Sequence, residues 1–194
     1  MSNKGFRLYF EDFEGKSVDR AAKLLAGIPG GLSKALASAL KRTATSTEAF
    51  AARAVRSEYV VTSSAFKEYT TSKRHISTSG GSTEVSISFN GYHIPIIRFD
   101  TSVGKGGRIT TRVMRGSSRK VLENAFSARL GNDFGIYERV GAKRFPVRQL
   151  WGPATTQMMY SNEDVLDAIN EHSTETFNKR LDHEVTRILN GFGR

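Results

Sequence analysis

The sequence has 194 residues, of which 29 are Lys or Arg and 19 are Asp or Glu, giving a formal net charge of +10. Hydrophobic residues make up 38% and charged residues 25%, which is enough apolar side chain for a core and excludes a wholly disordered chain. Cysteine is absent, which excludes disulfides, thiolate metal sites and cysteine nucleophiles. No apolar run of about 18 residues and no signal-peptide core occurs, so we expect neither membrane insertion nor secretion.

The charge is distributed unevenly along the chain. Residues 97–150 carry 12 basic and 4 acidic residues, whereas residues 151–194 carry 4 and 7. The basic middle can meet the acidic tail within one fold, or the tail of one copy can meet the middle of the next in a head-to-tail ring. Either arrangement leaves positive charge available to an anion.

The first third of the chain is predicted to be mostly helical. Alternation predicts a strand or a pairing arm at Phe6–Phe10, so we interpret 1–15 as an N-terminal arm or short strand. Ser17 can cap a helix that ends at Ile28, before Pro29-Gly-Gly. An Ala-rich stripe predicts a long helix over about 33–57, and Thr62 and Ser63 can cap a shorter one to about Thr71.

The middle of the chain changes to strand periodicity. Val85, Ile87 and Phe89 alternate with polar residues, and Asn90-Gly91 favours a two-residue turn that leads into a second strand over Tyr92–Phe99. Pro95 lacks a backbone donor, which predicts an edge or a bulge there.

Further strands and a closing helix are predicted to follow. We expect a strand at Arg108–Met114, one or two helical turns in Ser118–Phe126, and a hairpin formed by Gly135–Val140 and Phe145–Leu150. Ser161 is expected to cap a helix that runs to about Asn190. The pattern predicts an α+β fold for 16–194 as a single domain, with long N-terminal and C-terminal helices packed on a central, mostly antiparallel sheet.

Motifs for catalysis or cofactor binding are not found. The glycine-rich run Val103–Arg108 lacks Walker spacing, the four histidines (75, 93, 172 and 183) lack metal-ligand spacing, and no Gly-x-Ser-x-Gly occurs. We therefore predict a protein that is not an enzyme and has no metal and no cofactor.

The basic middle predicts a contact surface. Its candidate DNA or subunit contacts are Lys105, Arg108, Arg112, Arg115, Arg119, Lys120, Arg139, Lys143, Arg144 and Arg148. If the strands that carry them are neighbours, they form a positive patch that binds phosphate through charge, with affinity falling steeply with salt. The alternative is an ion-pair surface for an acidic neighbour, such as Glu163–Glu175 of an adjacent copy. No helix-turn-helix, zinc finger or aromatic RNA-reading motif accompanies the patch.

The segment Phe134-Gly-Ile-Tyr-Glu-Arg-Val-Gly-Ala-Lys-Arg-Phe-Pro-Val-Arg-Gln-Leu-Trp-Gly-Pro153 resembles the minor tail protein Z family of tailed bacteriophages and prophages. In that family a strand, a short basic turn, an Arg-x-Pro-Ile/Val step and an aromatic-Gly-Pro precede the last helix. Ala-Leu-Lys-Arg-Thr-Ala44 and Val121-Leu-Glu-Asn-Ala-Phe126 add to the likeness, which covers roughly residues 20–190. Trp151 stands where Tyr is more usual, and Phe6–Phe13 has no counterpart.

The resemblance implies a virion structural protein that completes the head-proximal end of a phage tail, without an activity of its own. Arg139, Lys143, Arg144 and Arg148 match the family's basic hairpin. The family's closing segment is matched by Phe145, Pro146, Leu150, Trp151, Gly152 and Pro153. Because the two prolines set turns and Trp151 can belong to the core, a structural role for this segment is favoured over a contact role.

Our leading hypothesis is a tail-completion or neck protein that joins head to tail. It would be made in the bacterial cytoplasm and would act in the virion as a ring, a hexamer rather than a trimer, beside a tail terminator, the tail tube and packaged DNA. The second hypothesis is a stand-alone, sequence-nonspecific nucleic-acid-binding protein. A hydrolase is the third.

Overall fold

A computed structural model describes residues 6–9, 16–79, 82–131 and 133–191, without the side chains of 6–9, 76–79 and 82–85. The helices are α1 (Lys16–Leu24), α2 (Gly31–Glu58), α3 (Ser63–Glu68), α4 (Thr155–Tyr160) and α5 (Glu163–Leu189). The strands are β1 (Phe6–Tyr9), β2 (Thr70–Ser79), β3 (Ser82–Gly91), β4 (His93–Pro95), β5 (Asp100–Val103), β6 (Ile109–Arg112), β7 (Lys120–Leu122), β8 (Ala125–Leu130), β9 (Asp133–Arg139), β10 (Val147–Gln149) and β11 (Trp151–Ala154).

The chain divides into two compact units. Unit 1 contains 1–4, 52–71 and 90–162, and unit 2 contains 5–51, 72–89 and 163–194. The division says nothing of whether either unit folds alone, so the single domain expected for 16–194 stays a prediction.

Unit 2 is built on two long helices. Most of the predicted stripe of α2 is buried, while Leu36 and Phe50 are half-buried; its buried members are Leu40, Thr43, Thr47, Ala51, Ala54 and Val55. Ala35, Ala39 and Ala44, which we expected only to favour helix, are also fully buried. Small side chains let a partner helix approach closely, and in α5 the predicted stripe is buried from Val165 to Ile188. Between the two helices, the hydroxyls of Thr47 and Ser173 lie 2.9 Å apart. Their hydrogen bond satisfies two polar groups inside an otherwise apolar contact.

A three-stranded sheet completes unit 2. Its strand order is β1-β3-β2, and β1, which lies within the strand predicted at Phe6–Phe10, pairs antiparallel with β3. Ile87 and Phe89 of β3 are buried, as their alternation predicts. On β2, Arg74 forms an ion pair with Glu48 of α2 at 3.2 Å, so an ion pair joins the sheet to the helix.

Unit 1 contains most of the antiparallel strands. In one ladder β9 lies between β8 and β10, and in another β11 pairs with β4 across a bulge. Leu150 joins the two ladders, because its N–H donates to the carbonyl of Ile136 and its own carbonyl accepts from the N–H of Ile96. Pro95 ends β4, which among the described strands pairs with β11 alone, as its missing donor predicts.

The remaining sheet of unit 1 has the order β5-β6-β7. The glycine-rich run between β5 and β6 forms a single 3-10 turn at Lys105–Gly107, in which Gly106 and Gly107 both have a φ of +79°. Ile109 and Thr111 of β6 are buried, in agreement with the predicted alternation of this strand. Strand β6 contacts β8, so the sheets that carry the predicted basic residues are neighbours.

Four sequence-based expectations are wrong. Ser17 does not cap α1, because the helix begins at Lys16 and Ser17 lies inside it. The Asn90-Gly91 hairpin does not form, because β3 pairs with β1 and β2 while β4 pairs with β11. A Cβ atom at Gly91 would lie 2.9 Å from the backbone nitrogen of Thr156, so the lack of a side chain at Gly91 allows the chain to approach α4 closely.

The segment Ser118–Phe126 forms β7, a turn and the start of β8 in place of a helix. Asn124 adopts a φ of 59° in the turn, and each of the two strands pairs with a different partner. The last helix begins at Glu163, and Ser161 is the C-cap residue of α4, a helix that we did not predict.

The other expected elements are confirmed with small shifts at their ends. Helix α1 stops earlier than expected, α2 and α3 appear where predicted, and Thr62 caps α3. The hairpin of β9 and β10 is also present. The α+β class is confirmed, with long helices in the N-terminal and C-terminal regions and antiparallel strands in four small sheets.

Candidate functional site

All ten predicted basic contacts lie in unit 1 and form two groups. The strand group, on or beside β5, β6 and β7, contains Lys105, Arg108, Arg112, Arg115, Arg119 and Lys120. The hairpin group, on β9, β10 and the turn between them, contains Arg139, Lys143, Arg144 and Arg148. Every one of these side chains is exposed except that of Arg112, which is half-buried.

One carboxylate holds two guanidinium groups of the strand group. Asp100 lies opposite Arg112 in the register of β5 and β6, and Nε of Arg112 donates to Oδ2 of Asp100 at 3.0 Å. Arg119 forms a second ion pair with Asp100 and donates to the hydroxyl of Ser102 at 2.9 Å. Two positive charges are thus balanced by one negative charge, and both guanidiniums are held on the outer face of the sheet.

The other members of the strand group have no carboxylate within 4.0 Å among the described residues. Lys105 begins the turn between β5 and β6, and Arg108 follows the turn, so Arg108 precedes the strand on which we expected it. Arg115 follows β6 and donates to the backbone carbonyl of Arg56 at 2.9 Å, and Lys120 begins β7. These side chains present uncompensated charge at both ends of a short sheet.

The stem of the hairpin is held on both of its faces. On one face Arg148 forms an ion pair with Glu138 of the neighbouring strand. On the other face the guanidinium of Arg139 lies 5.3 Å above the ring of Phe126, whose centroid is 6.2 Å from that of Tyr137. Cation–π contacts of this kind stabilise an exposed arginine without neutralising it. Lys143 and Arg144, at the tip, have no carboxylate within 4.0 Å among the described residues.

The division into units separates the charge of the whole chain. In unit 1, residues 52–71 and 90–162 carry 15 basic and 6 acidic residues, whereas unit 2 carries 13 of each. Lys4 accounts for the remaining basic residue. The surplus of +10 therefore belongs to unit 1, which also carries every predicted basic contact.

The predicted closing segment is divided between three environments. Phe145 and Pro146 are exposed at the hairpin tip, and Leu150 joins the two ladders. Trp151 is 39% exposed and, with Gly152 and Pro153, lines an open depression of about 610 Å³. A Cβ atom at Gly152 would lie 2.9 Å from Cζ of Phe99, so this glycine allows close packing. Some residues of the closing segment are thus packed in the fold, and others are exposed.

The sequence analysis did not identify two residues that lie beside the predicted basic contacts. Asp100 was not singled out, although it lies across from Arg112 once the glycine-rich run is recognised as the turn of an antiparallel pair. Phe126 was assigned to a helix, which hid its cross-strand pairing with Tyr137. A strand prediction for 125–130 would have placed an aromatic ring beside Arg139.

Polar clusters elsewhere are small. Oγ of Ser46 lies 3.0 Å from Nε2 of His172, and the ring of Phe50 stacks on that imidazole with centroids 4.1 Å apart. This cluster joins α2 to α5. Within the described residues, no three His, Asp or Glu side chains are arranged to hold a metal ion. None of the described helices has the length and apolar character needed to cross a membrane.

The chain matches no protein-family model, no curated protein and no solved structure. The resemblance to the minor tail protein Z family therefore stays a prediction.

Proposed function

We propose that this chain is a tail-completion or neck protein of a tailed bacteriophage. It acts as one of several copies around the tail axis, hexameric rather than trimeric, at the head-proximal end where DNA enters the tail. It performs no reaction, and its partners are the tail terminator, the tail tube and the packaged DNA. In this proposal unit 1 provides the basic contact surface.

The observation that carries the proposal is the location of the uncompensated charge. Seven of the ten predicted cations have no carboxylate within 4.0 Å among the described residues: Lys105, Arg108, Arg115, Lys120, Arg139, Lys143 and Arg144. All seven are exposed, and all belong to unit 1. A surface of this kind attracts phosphate or an acidic neighbour through long-range electrostatics. It is suited to the space between a DNA path and an adjacent subunit.

Strand edges give the proposal a second support. The ladder of β8, β9 and β10 ends at β8 and β10, and the sheet of β5, β6 and β7 ends at β5 and β7. Edge strands expose unpaired backbone groups that a neighbouring chain can meet. When one surface of each copy binds a different surface of the next copy, the copies form a closed ring if the rotation between neighbouring copies divides evenly into a full turn.

The proposal is tested by joining tails to heads with a charge-reversal variant. Tails assembled without this chain are supplied with wild type or with the variant K105E/R108E/K143E/R144E, and filled heads are added. We expect joined particles, counted by electron microscopy, to be lost with the variant while its thermal unfolding differs by less than about 1 kcal/mol, as for exposed sites. The control variant K23E/K34E/K41E/K179E makes the same charge change on exposed residues of unit 2 and should join heads normally.

Two outcomes contradict the proposal. One is normal joining with the variant in unit 1. The other is a map of complete particles in which the head-proximal end of the tail contains no density for this chain.

The runner-up function is a stand-alone nucleic-acid-binding protein. The observation that favours it is that two arginines lie beside phenylalanine rings, Arg139 at 5.3 Å from the centroid of Phe126 and Arg144 at 5.7 Å from that of Phe145. Aromatic rings and arginine side chains are common partners of bases. Absence of the chain from finished particles, together with micromolar DNA affinity at physiological salt, would favour this function over the first.

A further inference from the structure

The tip of the hairpin between β9 and β10 has an unusual composition for an exposed turn. The last ladder pair is Arg139 with Val147, and the N–H of Val140 donates to the carbonyl of Pro146 at 3.1 Å. This bond closes a loop of five residues, 141–145. All residues from 140 to 146 are exposed, including Val140 at 59% and Phe145 at 61%. Two large apolar side chains, Val140 just before the loop and Phe145 at its last position, therefore have little burial.

Positive charge accompanies these apolar side chains. Lys143 and Arg144 lie within the loop, and the guanidinium of Arg144 is 5.7 Å from the ring centroid of Phe145. No acidic residue occurs between 139 and 149, and the nearest one in sequence, Glu138, is bound to Arg148. The tip thus combines an exposed aromatic wedge with two cations that have no carboxylate partner among the described residues.

The stem holds this tip in place. Arg148 and Glu138 bridge the two strands on one face, and Arg139 makes a cation–π contact with Phe126 on the other. A tip carried on such a stem loses less conformational freedom on binding than a free loop would. The side chains of the tip are therefore preorganised before a partner binds.

Duplex DNA is the partner that this combination fits. Proteins that bind the minor groove place Arg and Lys in it and often insert apolar side chains such as Phe or Pro between base steps, which kinks the duplex. A protein partner of the same surface would need acidic side chains around an apolar pocket. In contrast, every stretch of a duplex offers phosphates and a stack of bases at the required spacing.

We propose that the loop 141–145, with Val140 and Pro146, is a wedge that inserts Phe145 into a step of duplex DNA while Lys143 and Arg144 contact the flanking phosphates. This inference rests on the proposed function for the presence of DNA beside the chain. It adds a defined binding element, in which base unstacking and phosphate contact are assigned to different residues.

The experiment uses the purified full chain and a short duplex that contains 2-aminopurine, whose fluorescence rises when it is unstacked. Binding is followed by anisotropy over a series of salt concentrations, and unstacking by the fluorescence at saturation. With wild type we expect the fluorescence to rise. F145A should abolish the rise and leave the salt dependence unchanged, whereas F145L should retain most of the rise because it keeps an apolar wedge.

The cations are tested in the same titrations. K143Q/R144Q should reduce the slope of log affinity against log salt by about 2, since each phosphate contact contributes about 0.9. The matched control lies at the other end of the same sheet, where Arg129 pairs with Phe134, which is 51% exposed. F134A should change the fluorescence less than F145A does, and R129Q should change the slope less than K143Q/R144Q does.

Two results overturn the wedge: no fluorescence rise with wild type, and an equal rise with F145A. If the rise is equal and F145A changes self-association, the tip is identified as a subunit contact. The assembly of heads and tails is measured separately, so failure of the wedge and failure of the proposed function are distinguishable.

Discussion

Nε of Arg187 donates a hydrogen bond of 2.8 Å to Oε2 of Glu184, whose side chain is only 1% exposed. The other oxygen, Oε1, lies 3.5 Å from Nε of Arg42 on α2. Burial raises the pKa of Glu184, but hydrogen bonds from Ser38 and Arg187 and the charges of Arg187 and Arg42 outweigh it, so the pKa is lowered. A charged residue thus occupies a position among the buried residues of α5.

We expect E184Q to lower the free energy of unfolding at pH 7 by about 2 kcal/mol, the range for a hydrogen bond to a charged group. Because the folded-state pKa is below the ordinary 4.5, the stabilisation is present above that pH and is lost as the pH falls through the folded value. Urea unfolding at pH 7 and pH 3 should therefore show a difference between wild type and variant that shrinks in acid. The control E175Q changes an exposed residue of the same helix. An equal loss at both pH values would contradict the charge-based account.

Gly91 is predicted to be intolerant of any side chain. A Cβ atom there would lie 3.2 Å from Cβ of Thr155 and 2.9 Å from the backbone nitrogen of Thr156. We expect G91A to lower stability by about 1–3 kcal/mol, as overpacking does. In G116A the new methyl group meets no atom within 4 Å, so this control should unfold within about 0.5 kcal/mol of wild type. Chemical denaturation measures both, and equal stabilities would refute the close approach.

Asp100 is expected to limit the affinity of unit 1 for polyanions. D100N releases Arg112 and Arg119 from their shared carboxylate, so elution from heparin should require more salt. Stability should fall by about 1 kcal/mol or less, because the pairs are partly solvated. E123Q changes the net charge equally, but Glu123 is exposed and has no ion pair among the described residues. If both variants elute at the same salt concentration, release of the two guanidinium groups contributes nothing to the affinity for polyanions.

The N-cap of α3 offers a small and specific effect. The N–H of Ala65 donates to Oγ1 of Thr62 at 3.2 Å. We expect T62A to cost about 1 kcal/mol, the usual value for losing a cap. S63A, next to it, removes an exposed hydroxyl that makes no hydrogen bond among the described residues. Thermal unfolding should separate the two variants, and identical midpoints would show that the cap contributes nothing to stability.

Elements with a strong local pattern could be predicted from the sequence. The Ala-rich stripe of α2 and the apolar stripe of α5 each recur for many turns, so no partner is needed to recognise them. The hairpin of β9 and β10 was recognisable because both strands and the turn are adjacent in the sequence.

Strand pairings between distant segments could not be predicted in the same way. Asn90-Gly91 has the composition of a hairpin turn, yet His93 and Ala154 pair across 61 positions, and that pairing is decided by packing rather than by local propensity. Glu184 was overlooked for a related reason. A buried carboxylate is recognisable only when Arg42, from another helix, is known to lie beside it. In the candidate site the basic residues could be listed from the sequence, whereas the carboxylates that neutralise three of them could not.

Helix α2 precedes α5 by more than one hundred residues, yet unit 2 needs both. During synthesis the face of α2 that meets α5 at Thr47 and Ser173 therefore lacks this partner while residues 59–162 are translated. Contacts of such long sequence separation slow folding and leave apolar surface open to aggregation. The nascent chain should accordingly depend on chaperones until its closing helix has left the ribosome.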